Sequence, residues 1–328
     1  MSFQRKIIIL GSIFVVLLAA LLLGMVFSPQ RSVQRQSEAL LFPDLKPAQA
    51  RRVEIGDASS QVRLSLAGEW AIEESGKRYP ASQEKVSGLL QALAALTRGA
   101  LVTRDAKAAE GLGLSTKEAK RLVVFGAKDE KLCELAVGRF AAGGLGLYLR
   151  PADRPDVLRT GQELSRYLGI ERRDWANLRV LPSDLKPSSV MRLTIVNERA
   201  LLEPKGAKPF RYTLVKEVDS RGGSAWSWAG EKGRRLDAQK IDGIANALSG
   251  LEGSDFLADG ATGAITPPAA EVTVSLTDNR TFTVRFGTKN EKNQHPCGLA
   301  DGAYAYLVPE WRVKEILVPP EGLTPAAR

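Results

Sequence analysis

Histidine occurs once in this chain, cysteine twice and methionine three times across 328 residues. These scarcities exclude a good deal. A Ser/His/Asp hydrolase would have to use His295, the single histidine, yet no Gly-x-Ser-x-Gly elbow accompanies it. His295 lies in the polar stretch Asn293–Gly298 and reads as a solvated loop residue. With Cys297 it offers two soft ligands and no second pair, whereas a structural zinc site takes four. Cys133 sits in a strand-like run, Lys131–Val137, and Cys297 in the polar loop; their spacing leaves open whether they pair. No Gly-Lys-Ser/Thr is present, and Gly111-x-Gly113 and Gly144-x-Gly146 lack the third glycine of a dinucleotide loop. Both read as turns, and Glu73-Glu74 as a solvated strand end. The reading is therefore non-enzymatic, with no catalytic residue, cofactor or metal.

Charge of one sign is also not concentrated. The net charge is +9, but the excess is spread along the chain, and the densest basic spot, Arg172-Arg173, has Glu171 and Asp174 on either side. A nucleic-acid stripe is not indicated, whereas a weak attraction to anionic headgroups fits. Hydrophobic residues at 44% and charged residues at 25% are ordinary globular values.

What the chain does have is one long apolar run. Ile7 to Phe27 is 21 residues without a charge. At about 1.5 Å per residue a helix of that length spans roughly 30 Å, the hydrocarbon thickness of a bilayer. A cleaved leader would have a shorter apolar stretch and a small-x-small site; this run ends Gly24-Met-Val-Phe-Ser28, with no such site and no following cysteine. The expectation is an uncleaved transmembrane helix over 7–27, a cytoplasmic tail over 1–6 and a tether over 28–40. Arg5 and Lys6 on one side balance Arg31 and Arg35 on the other, so orientation rests on the six-residue tail being too short for a domain. That places the bulk of the chain outside the cytoplasmic membrane.

Beyond residue 40 the sequence repeats itself. Asp44-Leu-Lys-Pro47 returns as Asp184-Leu-Lys-Pro187, and at the same shift Arg52, Val53 and Ile55 match Arg192, Leu193 and Ile195. Alternating runs at Val53–Ile55, Val62–Leu66 and Trp70–Ile72 predict strands, with Leu193–Ile195, Tyr212–Leu214 and Trp226–Trp228 as their counterparts. Val86, Leu89, Leu93 and Leu96 predict a helix with one apolar face, capped by Ser82; Ile241, Ile244, Leu248 and Leu251 repeat that face behind Asp237. Later pairs are Gly113/Thr116 with Gly263/Thr266, and Gly144-x-x-x-Tyr148-Leu149 with Gly302-x-x-x-Tyr306-Leu307. The fold expected is α+β: two tandem repeats, 41–180 and 181–318, each a mostly antiparallel sheet with a packed helix, followed by a tail over 319–328.

One surface stands out as a candidate. Trp226 and Trp228 lie two apart and face one side of a strand, with Arg234 and Arg235 nearby. Either they pack in the core, which the match to Trp70 favours, or they present an aromatic and basic surface to a glycan, a lipid or a protein.

The order of a strand pair, a tryptophan strand, the helix entries at Tyr79-Pro-Ala81 and Leu236-Asp-Ala238, an amphipathic helix, Gly113-Leu114 and a hairpin ending in Tyr-Leu resembles the bacterial domain-of-unknown-function family numbered 4340. The likeness covers about 41–318, though the Gly-Leu element becomes Gly263-Ala264 in the second half. The resemblance implies an N-terminal anchor and a setting beside ABC-transporter components, in some members like the auxiliary subunit of gliding-motility-type systems; it carries no catalytic residues. The expected function is thus a membrane-anchored extracytoplasmic accessory or scaffold protein, partnering an ABC-transporter permease and ATPase. The alternatives are an envelope hydrolase or transferase with a site between the repeats, and a glycan- or lipid-binding scaffold.

Overall fold

The computed structural model describes residues 37–144, 146–202, 208–218, 224–231, 235–257 and 265–325. The expected membrane helix, Gly263 and Arg234 lie outside them. The chain divides into two compact units after Trp175. The sequence puts the division at 180, but backbone bonds assign the intervening residues: Val180 donates to Leu251 O at 3.0 Å, and Leu178 O accepts from Gly253.

The first unit is built on a nine-stranded antiparallel sheet. Its strands are β1 (Arg52–Gly56), β2 (Gln61–Ala67), β3 (Glu69–Glu74), β4 (Lys77–Pro80), β5 (Ala100–Thr103), β6 (Lys120–Phe125), β7 (Lys131–Phe140), β8 (Leu147–Pro151) and β9 (Val157–Thr160), in the order β4-β3-β2-β1-β6-β7-β8-β9-β5. Strict alternation drives it: Val53, Ile55, Val62, Leu64 and Ile72 are buried on one face, while Glu54, Arg63 and Glu73 line the other. Helix α1 (Gln83–Ala94) buries Val86, Leu89, Leu90 and Leu93. Ser82 caps it, accepting from Lys85 N at 3.3 Å. Gln83 then ties the helix to β3, its side chain bonding both the N–H and the carbonyl of Trp70 at 2.9 Å.

The second unit has an eight-stranded sheet of β10 (Val190–Asn197), β11 (Phe210–Val218), β12 (Ser224–Trp228), β13 (Asp255–Phe256), β14 (Ala270–Leu276), β15 (Thr281–Phe286), β16 (Gln294–Leu299) and β17 (Ala305–Pro309), in the order β12-β11-β10-β14-β15-β16-β17-β13. Helix α2 (Ala238–Ser249) buries Ile241, Ile244 and Leu248, with Asp237 accepting from Gln239 N and Lys240 N. A short helix, α3 (Glu310–Ile316), follows β17. The two Asp-Leu-Lys-Pro stretches fold alike: each leads into a single 3-10 turn, Pro47–Gln49 and Pro187–Ser189, with Leu45 and Leu185 buried before it.

Three expectations need correction. Asn293–Gly298 is largely strand β16, not a solvated loop; His295 and Cys297 are fully buried in it, covered by β15 and β17. The Tyr148/Tyr306 match is one strand out, because β17 bonds the short edge strand β13 whereas the strand bonded to edge β5 is β9, not β8. Finally, 319–328 is not a free tail up to its end. Leu323 is buried, its carbonyl accepts from Asp237 N at 2.8 Å, and Gly322 O accepts from Lys240 Nζ at 2.7 Å, so these residues seat the start of α2.

Candidate functional site

A cavity in the first unit lies on the polar face of its sheet, and strand register explains why it is there. One cross-strand row runs Gln61, Gly56, Arg121, Ala136, Arg150 over β2, β1, β6, β7 and β8. Gly56 and Ala136 carry little or no side chain, so the row has a low floor interrupted by two arginines. Gly56 is fixed by packing, since a Cβ there would press on the β1–β2 turn, 2.6 Å from Ser60 O.

One wall comes from the connection between β5 and β6. Asp105 starts it by accepting from Lys107 N at 3.0 Å. Gly113, at φ 78°, turns it, and Gly138 on β7 lets it lie flat, because a Cβ on Gly138 would collide with Leu112 O. Ala109, Leu114 and Val157 then form a small apolar cluster that Leu112, Ala136 and Tyr148 flank. This seats Ser115 and Thr116 beside the row. The resulting cavity has a volume of about 680 Å³ and adjoins a second of about 200 Å³, the two sharing Thr116, Ala119 and Arg121. Such dimensions suit a small molecule.

Its charges are unevenly paired. Arg121 contacts Glu134 at 2.6 Å, and Lys131 reaches the other oxygen of the same carboxylate at 2.7 Å. Burial opposes the charge on Glu134, but the bonds from Lys131 and Arg121 outweigh it and hold the carboxyl below its ordinary range. Asp153 is lowered chiefly by its hydrogen bond from Arg154. Arg150 differs. It is half-buried, and among the described residues its side chain has one hydrogen bond, to Leu114 O at 3.5 Å, and no carboxylate partner.

Of the candidate tryptophan and arginine surface, the two rings are placed differently. Trp228 is buried and meets Tyr212 edge-on at 5.5 Å, so it belongs to the core of the second unit. Trp226 takes the register of Trp70 on the matching strand and is half-buried. Its Nε1 donates to Asp242 of α2 at 3.1 Å, and Lys216 Nζ lies 5.6 Å from its ring. Arg235 is exposed.

His295 is the second unit's unusual group. Its Nδ1 lies 3.0 Å from Gly287 O, and its buried Nε2 has no partner among the described residues. Desolvation is the largest influence and lowers the imidazole pKa; Glu310 acts upward, Lys289 and Lys314 downward. The unfolded chain therefore binds a proton that the native state resists. Stability of the second unit is fully present above the unfolded value near pH 6.5 and declines as pH falls toward the lower native value. Urea titrations between pH 7.5 and 5 should show that slope, and His295→Leu should flatten it. An equal slope in both proteins would exclude His295 as its source.

Sequence reasoning missed Arg121, Arg150 and the Ser115-Thr116 wall. The only available signal was weak: a cation at alternate positions of predicted strands, with a small residue between them in the next strand. Among the described residues, no group of three or more His, Cys, Asp or Glu is placed to hold a metal.

No curated protein and no solved structure matches this chain. The sequence profile of the family described as "Domain of unknown function (DUF4340)" matches residues 70–273, more than half of the chain and parts of both units, and the chain belongs to that family.

Proposed function

We propose that this protein is a membrane-anchored, extracytoplasmic accessory or scaffold protein of the bacterial envelope, non-catalytic, working alongside an ABC transporter. The observation that carries the reading is the uncharged 21-residue run Ile7–Phe27, near the N-terminus and ahead of the first repeat. A second observation supports it. Ser37 O and Ala39 O accept from Gly99 and Arg98, so the chain enters beside the start of β5. Leu40, Leu101 and Val102 are exposed there, with Arg159 also exposed opposite Ala100 on β9. Apolar side chains among arginines suit a headgroup layer.

The two units are read as copies of one module. The matching 3-10 turns, the capped helices and the equivalent strand orders support descent from a duplicated sequence. The transporter partnership rests on the family resemblance. Affinity capture of the full chain from mild detergent should retain a permease and an ATPase in fixed ratio. Capture of the chain alone, from cells that express those subunits, would overturn the partnership while leaving the anchor untouched.

A further inference from the structure

The groove on the first unit is the feature that neither the fold nor the anchor reading uses. Its arginines are spaced by register: Arg121 and Arg150 flank Ala136 in one row, on β6 and β8. Arg121 already has Glu134, a carboxylate it shares with Lys131. Among the described residues the Arg150 side chain has only the long bond to a carbonyl. A guanidinium presents a planar fork of donors that fits a carboxylate or phosphate two-to-two, and leaving it half-buried without an anion wastes that geometry.

The second unit provides an internal comparison. Its equivalent row reads Arg211, Val196, Glu271, Arg285, Gly298. There the position of Ala136 is filled by Arg285, which pairs with Glu271 in the same row at 2.7 Å. The charge is cancelled and the floor is raised. The first unit has the opposite arrangement, with small residues at Gly56 and Ala136 and no acid in the row.

We infer that the groove of the first unit binds a small ligand bearing an oxyanion, carboxylate or phosphate, on an apolar body, with Arg150 as its anchor. Arg150 takes the oxyanion in a forked contact. Thr116 and Ser115 supply hydroxyls from the wall. Leu114, Ala136 and Pro151 line the space for the apolar part. The inference stands apart from the membrane and transporter readings, and its test does not depend on them.

The test uses the full chain in detergent with butyl phosphate and hexanoate as probes. Inorganic phosphate and butyltrimethylammonium at equal ionic strength are the controls. The readouts are calorimetric binding and the rate at which phenylglyoxal modifies Arg150, followed by peptide mass mapping. At least one of the two anionic probes should bind saturably and slow modification of Arg150 several-fold, while the cation does nothing; whichever protects better distinguishes phosphate from carboxylate. Arg150→Met should weaken binding by about tenfold to a hundredfold, the scale of a lost charge-assisted bond. Thr116→Val should weaken it by a smaller factor and covers the case in which Arg150→Met fails to fold. An unchanged Arg150 rate with both anions, or undiminished binding by folded Arg150→Met, would overturn the inference. Inorganic phosphate protecting as well as butyl phosphate would remove the apolar part of the claim.

Discussion

Replacing Trp175 by alanine lowers the stability of the first unit by about 3–5 kcal/mol, the usual cost of deleting a fully buried large aromatic. The residue is fully buried. Its Nε1 donates to Gly169 O at 2.8 Å, Tyr167 stacks on it at 6.5 Å, and Lys85 Nζ sits 5.2 Å from its ring. Its carbonyl also accepts from Ser82 N, the cap of α1. Truncation leaves a cavity where the end of the unit closes on its helix. Hydrogen exchange read by mass spectrometry is the suitable measurement, because it resolves the two units. Peptides from β1, β6 and α1 should exchange about a hundred- to several-thousand-fold faster, with peptides from β14 and β15 unchanged. Trp311→Ala is the control: that ring is 55% exposed and its loss should cost under about 1 kcal/mol. Equal effects of the two substitutions would contradict the packing described.

Removing Ile7–Phe27 should move the protein completely from the membrane pellet to the supernatant after an alkaline wash. The segment carries fifteen Ile, Leu, Val and Phe side chains, each favouring insertion by about 0.3–0.6 kcal/mol near a bilayer's centre. The sum, on the order of 5 kcal/mol, has no charge to offset it. The exposed apolar and basic residues at the edge of the first unit are few and give at most loose, salt-sensitive adhesion. Full retention of the deleted chain in the pellet would show that the units, not the segment, hold it there.

Much of the architecture was readable from residues because it rests on local periodicity. Both amphipathic helices and both caps follow from spacing and from Ser82 and Asp237 alone. The central strands follow from alternation of Val, Ile and Leu with charge. What escaped has a physical cause in each case. β16 reads Gln-His-Pro-Cys-Gly-Leu and has no alternation; it is a strand because β15 and β17 cover it and because Gln294 finds Ser254 Oγ at 2.8 Å. The strands β4, β5 and β13 are short edge strands whose positions are set by partners rather than by their own sequence. The groove was the least legible feature. Its members come from five strands and a connection, and nothing links Gln61, Gly56, Arg121, Ala136 and Arg150 until the register is known. Trp228 was legible in one of its two readings: the match to Trp70 favoured core packing, and its side chain is buried against Tyr212.

The side of the membrane on which the two units reside is tested most directly by a labelling experiment. Cys133 and Cys297 are buried, and burial pushes the Cys133 thiol up to about 12 and raises the Cys297 thiol too, so neither reacts in the native protein. A thiol introduced as Ala127→Cys, in the exposed β6–β7 turn, is then the only reactive one. Cells stripped to the cytoplasmic membrane and treated with a membrane-impermeant maleimide should label Ala127→Cys before lysis, while Gln4→Cys in the N-terminal tail labels only afterwards. The reverse order would place both units in the cytoplasm and contradict the account.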